Sequence, residues 1–234
     1  MKYLIGNWKS NKTTEEAESW IEQVKKAALL ANPKLTVVLC PAYTQLMLFK
    51  NNYPELTLGV QTLSPYPDGT YTGAVSARML DGIANFAILG HSERRGHFGE
   101  TDQVVARQVE QAMSEQMTPI VAVDKSNWGQ QLSQFRKDQL EKMIVMYEPP
   151  EAISEAVGPI GEGEAAEIDE VVEAIEIIRE ETSPMAVIYG GSVKANNIQE
   201  FLGHDKIDGV LPGSASLDAQ EWVRMVRLAN QIVS

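Results

Sequence analysis

Met143-Ile144-Val145-Met146-Tyr147-Glu148-Pro149-Pro150 sets the pattern on which the whole chain is built. The apolar run has the length and composition of a buried strand. Glu148 stands at its C-terminal end, and two prolines, which lack a backbone N–H, then turn the chain out of regular structure. A carboxylate on so stiff a mount is suited to take a proton from carbon. That chemistry needs a second group opposite, to stabilise the oxyanion that develops.

Seven more runs of this kind flank it, at residues 3–7, 35–39, 56–60, 86–90, 119–123, 186–189 and 207–211. Helical patterns alternate with them. Thr13-Thr14-Glu15-Glu16 opens the first, with Ala17, Trp20, Ile21, Val24 and Ala28 at apolar spacing and Asn32-Pro33 as its stop. Further helical stretches are expected at 44–51, 76–83, 101–115 (Val104, Val105, Val109, Ala112 and Met113 inward), 127–141, 163–181, 195–202 and 218–233. In the acidic 163–181 stretch, Ala166, Ile168, Val171, Val172, Ile175 and Ile178 face inward. Eight strands alternating with eight helical regions imply a parallel sheet. At 234 residues the count and length favour one domain, 1–234, an α/β protein closed into a (β/α)8 barrel. The alternative is an open doubly wound sheet, but the polar clusters follow strands one, four, six, seven and eight rather than gathering at one crevice.

A net charge of −12 opposes binding to nucleic acid or to an anionic membrane surface, so an anionic substrate needs a local positive site. No stretch is apolar for long enough to span a membrane, and residues 1–7 do not resemble a secretion signal, so a cytoplasmic location is expected. The single cysteine, Cys40, excludes an internal disulfide and reads as a small packing residue before Pro41. Without a secretion signal, Asn11-Lys12-Thr13 is not read as a glycosylation acceptor.

In a closed barrel the C-terminal strand ends converge on one face. Asn7 and Lys9 follow the first strand, His91, Ser92 and Glu93 the fourth, and Glu148 the sixth. Each alone has a plainer reading: a solvated lysine, a capping histidine, an exposed glutamate beside proline. Their shared position at strand ends makes them a candidate site. Gly190-Gly191-Ser192 and Pro212-Gly213-Ser214, after strands seven and eight, offer backbone N–H groups unobstructed by side chains, and Ser214-Ala215-Ser216 reads as the start of a short helix. Together they form a phosphate cradle. Gly161-Glu162-Gly163 is discounted as a dinucleotide site because no strand precedes it and acidic residues surround it. No His, Cys and carboxylate cluster suggests a metal, and no cofactor is expected.

The ordered set Asn7-Trp8-Lys9, Thr72-Gly73-Ala74-Val75-Ser76, Gly90-His91-Ser92-Glu93-Arg94-Arg95, Tyr147-Glu148-Pro149, Tyr189-Gly190-Gly191-Ser192-Val193 and Ala215-Ser216-Leu217 resembles the signature segments of the triosephosphate isomerase family, from Tyr3 to Leu217. That family is itself a standard illustration of acid–base tuning, and the roles that follow are the family's. The resemblance implies that Glu148 moves a proton between adjacent carbons of a phosphorylated triose. It implies that His91, at a helix N-terminus, donates to the substrate oxygens, that Lys9 supplies positive charge, and that Asn7 orients the oxyanion site. Glu93 would hold Lys9, and Ser92 would steady the neighbourhood. The stretch 149–162 would be the lid, with Ile153 and Leu211 as an apolar clamp over the carboxylate. Tyr189 and Ser192 would hold the closed lid or the phosphate, and the N–H groups of Ser154, Gly213 and Ser214 would bind phosphate oxygens. The long 61–72 loop would dock on a second copy, giving a homodimer in which Thr72 buttresses the partner's Asn7 and Lys9.

The chain departs from the family pattern in its lid. Pro149-Pro150-Glu151 replaces the usual Pro-Val-Trp, and Ser154-Glu155-Ala156 the usual Gly-Thr-Gly, with a few residues inserted before Glu164. Ala74 stands for a usual Glu, Ala122 for a usual Cys, and Asp124-Lys125 for a usual Gly-Glu. The alternative function is therefore a catalytically impaired, phosphate-binding barrel.

Overall fold

The computed structural model describes residues 1–28, 32–149 and 166–234. Among them, eight parallel strands form a closed barrel in sequence order. They are β1 (Lys2–Asn7), β2 (Leu35–Cys40), β3 (Thr57–Val60), β4 (Phe86–Leu89), β5 (Thr118–Val123), β6 (Ile144–Tyr147), β7 (Ala186–Tyr189) and β8 (Gly209–Val210). Helices α1 (Thr14–Ala28), α2 (Tyr43–Asn52), α3 (Ser92–Phe98), α4 (Asp102–Ser114), α5 (Trp128–Leu132), α6 (Lys137–Leu140), α7 (Ile168–Thr182), α8 (Ile198–Leu202) and α9 (Ala219–Val233) surround it. No described helix is long and apolar enough to cross a membrane.

Strands buried on both faces need apolar residues at every position, which is why these runs do not alternate with polar ones. Their two faces nevertheless build two separate cores. Ile5, Val38, Ile88, Ile120, Ile144 and Ile188 fill the barrel interior. Leu4, Leu39, Leu89, Val121, Val145 and Val187 pack outward against the helices. In β6, Ile144 and Met146 point in while Val145 and Tyr147 point out. The same period of two turns the next residue, Glu148, inward at the mouth. Cys40 also lies inside, where burial pushes its thiol pKa well up. Closure falls between β1 and β8, where Tyr3 pairs with Gly209. A Cβ on Gly209 would lie 2.6 Å from the Tyr3 carbonyl oxygen, so only glycine lets the seam form.

The first helix starts as its sequence dictates. Thr13 Oγ1 accepts from Glu16 N while Glu16 Oε2 accepts from Thr13 N at 2.8 Å, a reciprocal cap. Ala17, Trp20, Ile21 and Val24 are buried. In α4, by contrast, Val104 and Met113 are only half-buried, and Gln108 takes a buried position instead.

Four local expectations change. The 76–83 helix shrinks to a 3-10 turn over Arg78–Leu80, because Ser76 is committed to Asp68 and Gly82 turns the chain with φ +68°. The 127–141 region splits into α5 and α6. Gln139 caps the second by accepting from Arg136 N at 3.0 Å. The eighth strand keeps two regular residues, although Asp208 N and Leu211 N still bond to Val187 O and Tyr189 O beside it. The 195–202 helix keeps only Ile198–Leu202, and α3, absent from the periodicity but in keeping with the helix N-terminus that the resemblance implies at His91, begins one residue after it. Of the expected 163–181 helix, α7 accounts for the part from Ile168; the start of that stretch and the Ala28 side chain lie outside what is described.

Candidate active site

β1 and β6 carry Asn7 and Glu148 to the same rim, and the turn after β4 brings His91 between them. All three are buried, at 4%, 4% and 6% exposure, which is unusual for polar side chains and calls for partners. Glu148 has two: its Oε2 accepts from Ser92 N at 3.1 Å, and its Oε1 lies 3.1 Å from His91 Nε2. His91 is the N-cap of α3, and its Nδ1 accepts from Glu93 N at 3.2 Å. A ring nitrogen that accepts carries no proton, so the hydrogen of the neutral ring sits on Nε2 and points at Glu148. The plainer reading of His91 as a capping residue is therefore correct, and the cap is also what aims the other nitrogen into the site.

Lys9 has φ +53°, a left-handed backbone that a lysine adopts only when its surroundings hold it there. Three contacts do so. Asn7 Oδ1 accepts from Lys9 N at 3.0 Å, Gln61 Nε2 donates to Lys9 O at 2.9 Å, and the ammonium pairs with Glu93. Gln61 Nε2 also donates to Cys40 O at 3.0 Å, tying the Lys9 loop to the end of β2. Nothing in the residue pattern singles out Gln61, because its role depends on carbonyls distant in sequence.

The two glycine turns meet this cluster. The position of a Gly190 Cβ would be 3.2 Å from Glu148 Cγ, and that of a Gly213 Cβ 3.2 Å from Lys9 Cε. Gly213 precedes the 3-10 turn Ser214–Ser216, which Ser216 closes by donating from Oγ to Gly213 O at 2.6 Å. Trp8 Nε1 donates to Ser216 O at 3.2 Å, and Asn7 N to Pro212 O at 3.0 Å, so the first and eighth strand ends are bonded together. Ser214 is exposed, and Leu211 is buried with the barrel interior. The Ser192 carbonyl accepts from Asn197 Nδ2 at 3.0 Å, which folds the turn after β7 back on itself. The Tyr189 ring stacks on Phe201 outside the barrel, and its hydroxyl accepts from Ala166 N at 3.2 Å. Ile153 and Ser154, with all of the expected lid after Pro149, lie outside the described residues.

A buried carboxylate facing a histidine N–H, a lysine held beside them, and two glycine turns at the rim form a site that could remove a proton and stabilise the charge left behind. Comparison with known proteins agrees. The family model described as triosephosphate isomerase matches residues 2–229. The triosephosphate isomerase of Mycoplasma mobile is 35% identical, over 97% of this chain and 99% of that protein. Those of a Synechococcus strain and of Synechocystis are each 34% identical, over 95% of this chain and 95% and 96% of theirs. On fold, site and full-length similarity together, the chain belongs to the triosephosphate isomerase family.

Proposed function

We propose that the chain interconverts dihydroxyacetone phosphate and D-glyceraldehyde 3-phosphate, with Glu148 as the base that shuttles one proton between adjacent carbons. The observation that carries this reading is the contact between Glu148 Oε1 and His91 Nε2, made with the His91 tautomer fixed by Glu93 N. In the resting site the two groups satisfy each other. A substrate carbonyl oxygen placed between them takes over the Nε2–H, and the carboxylate is released to accept the carbon-bound proton. As the C–H bond breaks, charge moves onto the carbonyl oxygen, where His91 and the Lys9 ammonium stabilise the enediolate. The hydroxyl proton passes to the charged oxygen by way of His91 Nε2, the Glu148 proton returns to the neighbouring carbon, and the oxygen that gave up its proton becomes the new carbonyl. Asn7 and Glu93 hold Lys9 in place; Gly213, Ser214 and Ser192 take the phosphate, with Ser154 and the Ile153 and Leu211 clamp completing the closed site. A coupled assay on glyceraldehyde 3-phosphate tests the activity. Turnover is the expected result, and binding of phosphoglycolate without turnover would overturn it.

The same reading makes the chain a homodimer. A cavity of about 240 Å³ opens at the site itself, with Asn7, Lys9, Tyr43, Gln61, His91 and Arg94 in its wall. The 61–72 loop is shaped to enter such a socket. Tyr66 and Tyr71 stack at 4.5 Å, and Asp68 latches the loop by accepting from Ser76 and Arg78. Nearby Met79 and Phe98 are 58% and 67% exposed, a high exposure for such side chains unless a second copy covers them.

The latch hydrogen bonds hold the Asp68 carboxyl below its usual range. A depressed carboxyl stabilises fully above its unfolded value and loses that contribution as pH falls through the lower folded one. Asp68→Ala is therefore expected to raise the dimer dissociation constant only about two- to fivefold at neutral pH, since the latch is exposed. It should also flatten the acid dependence of folding stability below pH ~4. Sedimentation velocity at neutral pH checks the first and thermal unfolding across the acid range the second, and an unchanged acid limb in the variant would remove Asp68 from the latch.

A further inference from the structure

Arg95 carries no role in the site as described so far, yet its guanidinium makes three hydrogen bonds close to it. Its side chain, 17% exposed, donates in three directions. Nε donates to Gly90 O at 2.7 Å, Nη1 to Asp102 Oδ1 at 2.8 Å, and Nη2 to Gln131 Oε1 at 2.6 Å. Asp102 opens α4. Gln131 lies in α5, is fully buried, and bonds back to Asp102 O at 3.4 Å. One guanidinium thus joins two helices of the outer ring to a single carbonyl at the barrel rim.

That carbonyl belongs to the peptide between Gly90 and His91. Gly90 has φ +67°, and a Cβ there would meet Arg95 Nη2 at 2.8 Å, so backbone and guanidinium fit only because residue 90 has no side chain. His91 is then fixed from three sides. The carbonyl before it is gripped by Arg95. Its own carbonyl accepts from Arg94 N at 2.8 Å and Arg95 N at 3.0 Å, and its ring is set by Glu93 N. α3 spans only 7 residues and buries none of them, so it is too short to hold His91 still by packing. The rigidity has to come from outside α3: Ser92 N on Glu148 and Glu93 on Lys9 supply part of it at the rim, and Arg95 ties His91 to the outer helices.

We propose that Arg95 is a positioning residue for His91: it clamps the Gly90–His91 peptide to α4 and α5 and so fixes the direction of the Nε2–H. The proposal rests on the reading of His91 as the donor to the substrate oxygens. A lysine could reach only one of the three acceptors, because its ammonium is a point rather than a planar fork. Misplacement of a reacting group by about 1 Å can cost about 100-fold in rate. Arg95→Lys is therefore expected to lower kcat about 10- to 100-fold while KM stays within about threefold.

A double-mutant cycle separates positioning from simple stapling of the fold. His91→Gln alone should lower kcat strongly, and adding Arg95→Lys to it should cost less than about twofold more, since the clamp acts through the ring that is gone. If Arg95→Lys does not fold, Gln131→Met removes one anchor at nearly constant volume and should lower kcat about three- to tenfold, with the same loss of effect in the His91→Gln background. Additive losses, or an unchanged kcat with a lowered melting temperature, would overturn the clamp and leave the role of His91 standing. Near-normal turnover of His91→Gln by itself would overturn both.

Discussion

Glu148→Gln should lower kcat by about two to four orders of magnitude, the range expected when a positioned general base is removed. The substitution keeps the shape of a side chain that is 4% exposed, so the barrel should fold unchanged. It cannot keep the hydrogen bonds. The carboxylate accepts from Ser92 N and faces the His91 Nε2–H, whereas a carboxamide has one acceptor and one donor end. Either way round, an N–H is brought against an N–H, and the base is lost as well. The phosphate turns after β7 and β8 are untouched, so phosphoglycolate should still bind within about tenfold of wild type. Steady-state kinetics with titration of that ligand would settle it; a variant with near-normal turnover would mean that another group takes the proton.

Lys9→Met should lower kcat/KM about 100- to 1,000-fold, comparable to removing one group that stabilises a developing oxyanion. The backbone bonds from Asn7 and Gln61 do not involve the ammonium, so the left-handed turn should survive. Two electrostatic losses add. The enediolate loses a positive partner, and Glu93 loses its ion pair and faces an incoming phosphate dianion in a chain of net charge −12. Adding Glu93→Gln to Lys9→Met should therefore recover part of the KM but not kcat. Kinetics at two ionic strengths check the assignment, because the recoverable part is the one that salt screens. A loss below about threefold in Lys9→Met would take the lysine out of the mechanism.

The barrel and the gathering of Asn7, Lys9, His91 and Glu148 at one rim were legible because a parallel strand buried on both faces leaves a long apolar signature. A polar residue at the end of such a run stands out. What escaped the sequence is what depends on backbone shape. Lys9 gives no sign of its left-handed φ, since two of the three contacts that impose it come from Gln61 and Glu93, far along the chain. The α3 helix after His91 was implied only by the family resemblance, because none of its residues is buried and it carries no periodicity to read. Arg95 was visible within a motif, but its three acceptors lie on three elements, and only the fold shows that they share one guanidinium. The shortened 76–83 helix has a similar cause: Ser76 looks like a helix opener until Asp68, eight residues earlier, takes its hydroxyl.

The seam between β1 and β8 has a bearing on how the site comes into being. Base, histidine and lysine are all encoded by residue 148, yet the turn that carries Lys9 is finished by the far end of the chain, through Pro212 O, Gly213 and Ser216 O. A nascent polypeptide leaving the ribosome therefore bears every reactive side chain long before it possesses an active centre. Closure of the cylinder and completion of the Lys9 turn thus depend on one and the same segment, residues 209–216.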